Sequence, residues 1–247
     1  FIFFVYLIDV KINFTRIDTF DNILQNNIYI NIFFTSFCLL IALNGGNFID
    51  GLNGIILKYY IIIYLILFFG FPNEFSVFEK EFIKYLIFTL TIILVLNIFG
   101  LLYMGDSGAY LISLFTGLYL IIFSSQNFSI SPYLIILLLW YPCFELLFSM
   151  LRRYFKAKKT YKPDNQHLHY LIYTYLKTKF NLNNNLKIHF TTSLLINLYN
   201  LCIFLISLKF KYNSKEIIFL IIFNLILYVL LHRFLSHTNE VRNNGTN

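Results

Sequence analysis

The chain has 247 residues, of which 58% are hydrophobic and only 13% are charged. Soluble domains carry about 25% charged residues, so the composition argues against a soluble protein and indicates an integral membrane protein. The net charge of +7 does not indicate nucleic acid binding, because nine of the nineteen Lys and Arg residues lie within 151–188. A basic loop beside spanning helices is typical of a cytoplasmic segment.

The chain opens with a short apolar run, from Phe1 to Ile8, that ends at Asp9. Eight helical residues rise about 12 Å, whereas the hydrocarbon core of a bilayer is about 30 Å thick. We therefore expect a partial span, with the sequence beginning inside a membrane helix. After a polar segment at 11–27, seven apolar segments predict full spans: 30–48, 54–71, 82–100, 108–125, 132–150, 190–208 and 216–232.

These segments predict an all-α, polytopic transmembrane helical bundle of about seven full spans plus a partial first span. We expect one membrane domain over 1–247, with a basic cytoplasmic loop at 151–188. Alternation of the spans places the residues near 49–54 and 101–107 on the same side as this loop. Three polar clusters therefore share one face of the membrane, as an active site would require.

The first cluster precedes the second full span. Asn44, Asn47 and Asp50 are spaced by three and so lie near one face of a helix. Gly51 and Gly54 permit a sharp turn and a close approach of the backbone to a ligand. A polar turn between two spans is the simpler interpretation, but two asparagines one helical turn apart exceed what a turn needs.

The second cluster reads Tyr103-Met104-Gly105-Asp106-Ser107-Gly108. Asp106 is placed to cap the following helix, which is a common use of Asp. It is equally placed to hold Mg²⁺, which proteins bind through one or two carboxylates together with substrate phosphates. Gly-Asp-Ser-Gly also occurs around serine nucleophiles, although no His–Asp pair can be assigned to Ser107.

The third cluster lies in the basic loop and reads Lys162-Pro163-Asp164-Asn165-Gln166-His167-Leu168-His169. Two histidines without a third ligand make a poor transition-metal site. Beside Arg152 and Arg153 they suit an anionic phosphate or pyrophosphate at least as well. Solvated loop histidines are the alternative.

Three motifs follow one another in a recognisable order: Asn-x-x-Asn-x-x-Asp-Gly-x-Asn-Gly at 44–54, Met-Gly-Asp-x-Gly at 104–108 and Pro-Asp-x-x-His-x-His at 163–169. Together they resemble the polyprenyl-phosphate N-acetylhexosamine-1-phosphate transferases, the family that includes phospho-MurNAc-pentapeptide translocase and the initiating enzymes of several envelope polysaccharides. The resemblance runs from about residue 1 to 170, and the His-x-His form is closer to the UDP-GlcNAc branch.

The resemblance implies a reaction. A polyprenyl-phosphate oxygen attacks the β-phosphate of a UDP-N-acetyl sugar, and UMP leaves. It also implies Mg²⁺ as cofactor, with Mn²⁺ as a substitute, and a multi-pass protein of the bacterial inner membrane whose active site faces the cytoplasm. A homodimer is compatible with it. The sugar stays open among GlcNAc, FucNAc, QuiNAc and bacillosamine-like sugars.

The resemblance also assigns residues. Asp106 would bind Mg²⁺ and, with Asp50, would serve catalysis, while Tyr103 matches the aromatic position that stacks on uracil. The remaining matches are assigned to substrate binding, at the nucleotide or at the sugar and its phosphates: Asn44, Asn47, Asn53, Arg152, Arg153, His167 and His169.

The chain departs from the family pattern at three points. Asn53 replaces a second acidic residue, Tyr170 replaces a further histidine, and no Asp-Asp pair occurs in the sequence. Since that pair is assigned to catalysis in the family, we expect residues 1–247 alone to be inactive. Two other classes stay open: an intramembrane serine protease using Ser107, and a non-enzymatic transporter or scaffold. The latter would need ionisable groups in mid-span, whereas the charges here gather at span ends.

Overall fold

A computed structural model describes residues 1–155, 166–180 and 184–245, with side chains described as far as Asn239. Within these ranges the chain forms helices and no strand, which confirms the all-α class. The helices are α1 (Ile2–Ile8), α2 (Asp18–Asn26), α3 (Ile28–Ile49), α4 (Ile55–Gly70), α5 (Val77–Ile98), α6 (Gly105–Gln126), α7 (Pro132–Leu138), α8 (Trp140–Phe155), α9 (Leu168–Lys179), α10 (Asn185–Leu208) and α11 (Ser214–Gly245).

Local sequence determines where three of the long helices begin. The Asn27 side chain accepts hydrogen bonds from two backbone N–H groups in the first turn of α3, and Asn184 caps α10 in the same way. Ser76 and Glu79 form a reciprocal capping box at the start of α5. Such caps satisfy N–H groups that have no partner within the helix.

Five helices of the described chain are long and apolar enough to cross a membrane: α3, α5, α6, α10 and the 214–239 part of α11. A sixth candidate is the pair α7 and α8, which is bent by 69°. The expected seventh full span, at 54–71, is the 16-residue helix α4. It rises about 24 Å, less than a lipid-exposed span needs. The polytopic class is confirmed, with five or six long spans rather than seven.

The segment expected to span the membrane at 132–150 is broken by a bend of 69°, and Pro142 gives the physical reason. Proline has no backbone N–H, so Pro142 cannot bond to the Leu138 carbonyl as a continuous helix would require. The Tyr59 hydroxyl donates to that carbonyl at 2.8 Å instead. The carbonyl that the bend between α7 and α8 leaves without a backbone donor thereby receives a hydrogen bond from a side chain of α4.

Helix α4 lies at the centre of the bundle, packed against α5 and α10. Tyr59, Tyr60 and Tyr64 are completely buried on it. The Tyr60 hydroxyl donates to Ser113 and the Tyr64 hydroxyl shares a hydrogen bond with Thr116, each at 2.8 Å. Buried hydroxyl groups need such partners, so these bonds join α4 to α6.

Helix α3 packs against both α6 and α8 through small residues. A Cβ atom added at Gly45 would lie 2.5 Å from the Pro142 carbonyl oxygen, and one added at Gly46 would lie 1.8 Å from Ser113 Oγ. Small residues at helix contacts let the backbones approach closely, as is common in membranes. The end of α3, which carries Asp50, is therefore held between two other helices.

The polar segment at 11–27 lies at the opposite end of the bundle from Asp50. The Arg16 guanidinium donates to the backbone carbonyls of Ser129 and Tyr212, at 2.7 and 2.8 Å. Both belong to the turns α6–α7 and α10–α11. This arrangement agrees with the predicted alternation of the spans.

The segment at 151–188, predicted as a loop, is partly helical. Helix α8 continues to Phe155, α9 occupies Leu168–Lys179, and α10 begins at Asn185. Several predicted features lie outside the described residues: Lys156, Lys158, Lys159, Lys162, Pro163 and Asp164. The histidine part of the third motif, in contrast, is described.

Candidate active site

The three polar clusters meet at one end of the bundle. The Tyr170 hydroxyl donates to the Gly51 carbonyl at 3.2 Å, which joins the third cluster to the first. A Cβ atom at Gly51 would lie 2.6 Å from His169 Nε2, so glycine permits this close approach. Asn97 accepts hydrogen bonds from Asn53 and Gly54 and donates to the carbonyl of Leu102, the residue before Tyr103, which joins the second cluster to the first.

The asparagines of the first motif lie along the end of α3. Asn47 Nδ2 donates to the Tyr110 hydroxyl of α6 at 3.2 Å. Asn44 Nδ2 donates instead to the Leu40 carbonyl of its own helix at 2.7 Å. Both asparagines are half-buried, and Asp50 follows directly after the last residue of α3.

Asp50 and Asp106 form the electrostatic centre of the site. Asp106 is exposed in the first turn of α6, where the helix dipole favours negative charge. Burial and, to a smaller extent, the negative charge of Asp106 together raise the pKa of Asp50 to about 7. Among the residues whose side chains are described, no Lys, Arg or His forms an ion pair with either carboxylate. Within the described side chains, neither carboxylate of the pair is therefore neutralised by an ion pair.

This donor set suits Mg²⁺ better than a transition metal. In the described parts of the chain there is no group of three or more His, Cys, Asp or Glu residues that could hold a metal ion. Magnesium, unlike zinc, is usually held by one or two carboxylates, with water and substrate phosphates completing its shell. Asp106 and Asp50 fit that requirement. A nearby cation would stabilise the ionised form of Asp50 and so lower its raised pKa.

A pH dependence of stability follows from the pKa of Asp50. The folded protein holds this proton with a pKa of about 7, against 3.8 for an unperturbed Asp. The protonated form therefore stabilises the fold, and that contribution is lost as the pH rises from about 4 to about 7. In buffer with EDTA, we expect the thermal midpoint of the wild type to fall more between pH 5 and pH 8 than that of Asp50→Asn. Parallel curves for the two proteins would contradict the assignment.

Asn97, near the end of α5, was not predicted but joins two of the motifs. Its Oδ1 accepts a hydrogen bond from Gly54 N, and its backbone carbonyl accepts one from Asn53 Nδ2 at 3.1 Å. Its Nδ2 donates to the Leu102 carbonyl at 2.8 Å. Asn97 thus ties the turn after Asp50 to the loop that carries Tyr103. The signal in the sequence was a single buried asparagine at the end of an apolar span.

Replacing Asn97 tests this connection. In Asn97→Ala the N–H of Gly54 loses its acceptor while buried, which costs about 1–3 kcal/mol. In Asn97→Asp that acceptor is kept, but the donor to Leu102 is lost. We expect thermal unfolding in detergent to rank the proteins wild type, then Asp, then Ala. A variant Asn97→Ala as stable as wild type would show that the bonds contribute little.

Tyr103 and Asn53 differ in their freedom to meet a ligand. The Tyr103 side chain is 73% exposed, so its ring is open for stacking. The Asn53 side chain is tied to Asn97, and its backbone N–H donates to His189 Nδ1 at 3.4 Å. Asn53, where the family has an acid, therefore stabilises the turn through its amide nitrogen.

The histidines of the third motif are buried, so the alternative of solvated loop histidines is wrong. His167 Nδ1 lies 3.0 Å from Glu145 Oε1 and 3.2 Å from Ser149 Oγ. Glu145 is a completely buried carboxylate of α8 that sequence reasoning missed. It sits within an apolar span, and nothing in the local pattern connects it to a histidine more than twenty residues away.

His169 is a neutral imidazole at the centre of this cluster. It is completely buried and its ring lies parallel to that of His167, with centroids 5.5 Å apart. Burial lowers the pKa of His169 to about 4, with the attraction of Glu145 opposing and the charge of His167 adding to the shift. Neither ring nitrogen has a hydrogen-bond partner. His169 can therefore exchange hydrogen bonds with a ligand but does not supply a positive charge at neutral pH.

The two arginines lie in the last turn of α8. Arg152 Nη1 donates to the backbone carbonyl of Gln166 at 3.1 Å and to its side-chain oxygen at 2.7 Å. Arg153 is half-buried beside it. Arg152 therefore supports the segment that leads into His167.

Ser107 has none of the partners that a serine nucleophile needs. It is exposed in the first turn of α6. In the part of the chain that the structure describes, no histidine forms a hydrogen bond with its Oγ. A serine nucleophile is activated by an adjacent base, so the described geometry does not favour the protease alternative.

Comparisons with known proteins agree with this site. Residues 1–124 match the family model described as glycosyl transferase family 4, a stretch that contains both Asp50 and Asp106. The chain is similar to the undecaprenyl-phosphate alpha-N-acetylglucosaminyl 1-phosphate transferases of Escherichia coli (strain K12) and Shigella flexneri, at 30% identity over 149 residues. The protein of that name from Salmonella typhi is 31% identical over 149 residues.

Each of these matches covers 57% of this chain and 40% of the relative, so the chain spans well under half the length of these curated relatives. No solved structure matches it. The family match extends over half of the chain and includes the two aspartates that the structure places at one end of a membrane bundle. The chain belongs to glycosyl transferase family 4.

Proposed function

We propose that this chain acts in the transfer of an N-acetylhexosamine-1-phosphate from a UDP-sugar to undecaprenyl or another polyprenyl phosphate. The observation that carries the proposal is that Asp50 and Asp106 lie at the same end of the bundle, where Asn97 ties the turn after Asp50 to the loop that carries the exposed ring of Tyr103. The names of the curated relatives support the acceptor and the sugar phosphate. The UDP donor and the release of UMP follow from the motif resemblance.

In the proposed reaction an oxygen of the lipid phosphate forms a bond to the β-phosphorus of the donor. The bond between that phosphorus and the bridging oxygen of UMP breaks, and UMP carries the electron pair away. Bound Mg²⁺ supplies Lewis-acid stabilisation of the pyrophosphate charge. Asp106, together with Asp50, would hold that cation, and Tyr103 would stack on the uracil.

His169 and Tyr170 contribute at the other side of the Asp50 turn. The neutral ring of His169 offers a donor and an acceptor beside Gly51, without adding charge. Tyr170, which stands where the family has a further histidine, uses its hydroxyl to hold the Gly51 carbonyl. Arg152 and Arg153 supply the positive charge of this region, at the end of α8.

The apolar part of the acceptor has room in the bundle. A cavity of about 530 Å³ lies between α3, α6, the α7–α8 bend and α11. Its wall is mainly apolar and includes Phe34, Cys38, Ala42, Ile121, Trp140 and Leu225. Ala42 stands about two helical turns before Asp50, so an isoprenoid chain in this cavity would lie beside the helix that carries the site.

We place the site on the cytoplasmic side of a bacterial inner membrane. The described parts of the basic segment, which are the end of α8 with Arg152 and Arg153 and helix α9 with Lys177 and Lys179, lie at the same end of the bundle as Asp50, and Lys and Arg are enriched in cytoplasmic loops. UDP-sugars, as cytoplasmic metabolites, would reach this side directly. Reactivity of single cysteines introduced at exposed Tyr103 and at Ser129 toward an impermeant reagent tests the orientation.

Donor binding is the experiment that tests the function. The sequence contains no Asp-Asp pair, so we propose that residues 1–247 bind the donor but do not turn it over. We expect the purified chain in detergent to bind UDP-GlcNAc in the presence of Mg²⁺, as measured by calorimetry, and to lose binding in EDTA. Transfer itself is measured as the formation of lipid-linked radiolabelled sugar, and we expect none from residues 1–247. Failure to bind any UDP-N-acetyl sugar would overturn the proposal.

A further inference from the structure

The C-terminal helix α11 reaches the histidine motif directly. His232 Nε2 lies 2.9 Å from the Gln166 carbonyl, and Asn239 Nδ2 donates to the Leu171 carbonyl at 3.2 Å. These two bonds flank the segment 166–171, which includes both motif histidines. Because a carbonyl oxygen only accepts hydrogen bonds, Nε2 of His232 carries a proton.

Helix α8 holds the same segment from a second side. Glu145 accepts hydrogen bonds from His167 Nδ1, at 3.0 Å, and from Leu168 N, at 3.4 Å to each of its oxygens. The segment 166–171 therefore has main-chain and side-chain bonds to α8 and main-chain bonds to α11.

These bonds determine what faces the Asp50 turn. His169 has no hydrogen bond of its own, yet it is completely buried against Gly51. Its position therefore depends on the residues around it being held. Tyr170 is bonded to the Gly51 carbonyl, and a displacement of the segment by one residue would break this bond and move His169 away from the turn.

We propose that Glu145 and His232 are positioning residues, which hold the histidine motif against the Asp50–Gly51 turn, and that α11 is thereby part of the site. The effect on substrate rests on the proposed function, since it assumes that this site binds a sugar nucleotide. The competing explanation is that α11 only adds a membrane span and that His232 only fills space.

The surroundings of His232 allow the two explanations to be separated. The ring is 5% exposed and packs edge-on against Phe148, with centroids 4.8 Å apart, and parallel to Tyr228 at 6.1 Å. His232→Phe keeps an aromatic ring in this space but removes the N–H donor. His232→Gln loses the ring but restores a donor that can reach the Gln166 carbonyl. His237→Phe makes the same substitution at an exposed position of the same helix.

The experiment measures hydrogen–deuterium exchange of the backbone at 166–171, together with the Kd for UDP-GlcNAc in Mg²⁺. In His232→Phe we expect faster exchange across this segment and an affinity about tenfold weaker, because the Gln166 carbonyl keeps its bond from Arg152 but loses the one that ties it to α11. We expect His232→Gln and His237→Phe to stay within about twofold of wild type in both measurements. Glu145→Gln replaces one of the two carboxylate oxygens that accept from Leu168 N. We therefore expect this variant, like His232→Phe, to show faster exchange at 166–171 and weaker binding of UDP-GlcNAc.

Wild-type exchange at 166–171 in His232→Phe would overturn the positioning role. Faster exchange with unchanged donor affinity, in a wild-type chain that binds the donor, would overturn the link between α11 and the site. If the wild type binds no UDP-sugar, the proposed function fails, but the exchange measurement still decides whether Glu145 and His232 hold the segment. If His232→Phe and His232→Gln lost exchange protection and donor affinity equally, the effect would not depend on the hydrogen-bond donor. This result would also contradict the proposal.

Discussion

Asp106→Asn is expected to abolish Mg²⁺-dependent binding of UDP-GlcNAc while leaving the bundle folded. The substitution preserves the shape of a side chain that is exposed in the first turn of α6, so the fold has little reason to change. It removes the carboxylate assigned to the cation, and losing a charged partner costs roughly 2–5 kcal/mol. We therefore expect donor affinity to fall on the order of 100-fold, measured by calorimetry in saturating Mg²⁺.

Ser107→Ala is the matched control for this prediction. Ser107 is the neighbouring residue on the same exposed turn, and it has no role in the proposed reaction. We expect its donor affinity to stay within about twofold of wild type, as for exposed substitutions away from a site. If Ser107→Ala lost all activity while Asp106→Asn kept it, the transferase would have to be abandoned in favour of the serine protease.

Gly45→Ala is expected to produce the largest loss of stability. The added Cβ would lie 2.5 Å from the carbonyl oxygen of Pro142 and 2.6 Å from its carbonyl carbon. These are backbone atoms, so no side-chain rotation relieves the overlap, and α3 must separate from α8. Overpacking of this kind costs roughly 3 kcal/mol, and we expect the thermal midpoint in detergent to fall by roughly 5–10 °C.

The same substitution at Gly108 provides the comparison. A Cβ atom there would meet Met104 Cε at 3.1 Å, the far end of a flexible side chain that can rotate away. We therefore expect Gly108→Ala to shift the midpoint by only one or two degrees, or to raise it, since alanine favours a helix over glycine. A Gly45→Ala protein as stable as Gly108→Ala would mean that α3 and α8 are not in close backbone contact at this point.

Much of the fold could be predicted because each apolar segment carries its own signal. A helix in a membrane satisfies all its backbone hydrogen bonds internally, so an apolar segment is sufficient to predict a helix. The prediction failed where one long-range contact decides the geometry. The break near Leu139 depends on Pro142, which is visible in the sequence, and on the Tyr59 hydroxyl that satisfies the freed carbonyl, which is not.

The candidate site shows the same division. Asp50 and Asp106 were predicted because short motifs at span ends identify them. Asn97, Glu145 and His232 were missed because each is a single polar residue within an apolar helix, and its partner lies in another element. Burial of a polar group is favourable only when it is hydrogen-bonded, and a sequence shows the polar group without its partner.

The central position of α4 has a consequence for how the protein is made. Helix α4 ends at Gly70, whereas α10, which covers one of its sides, begins only at Asn185. During synthesis α4 therefore contacts lipid on surfaces that later contact protein, and its apolar character all round suits both surroundings. The hydroxyl groups of Tyr59, Tyr60 and Tyr64 find their partners only when α6 and α7 have been inserted. The innermost helix is thus synthesised before the helices that enclose it, and its burial closes the bundle.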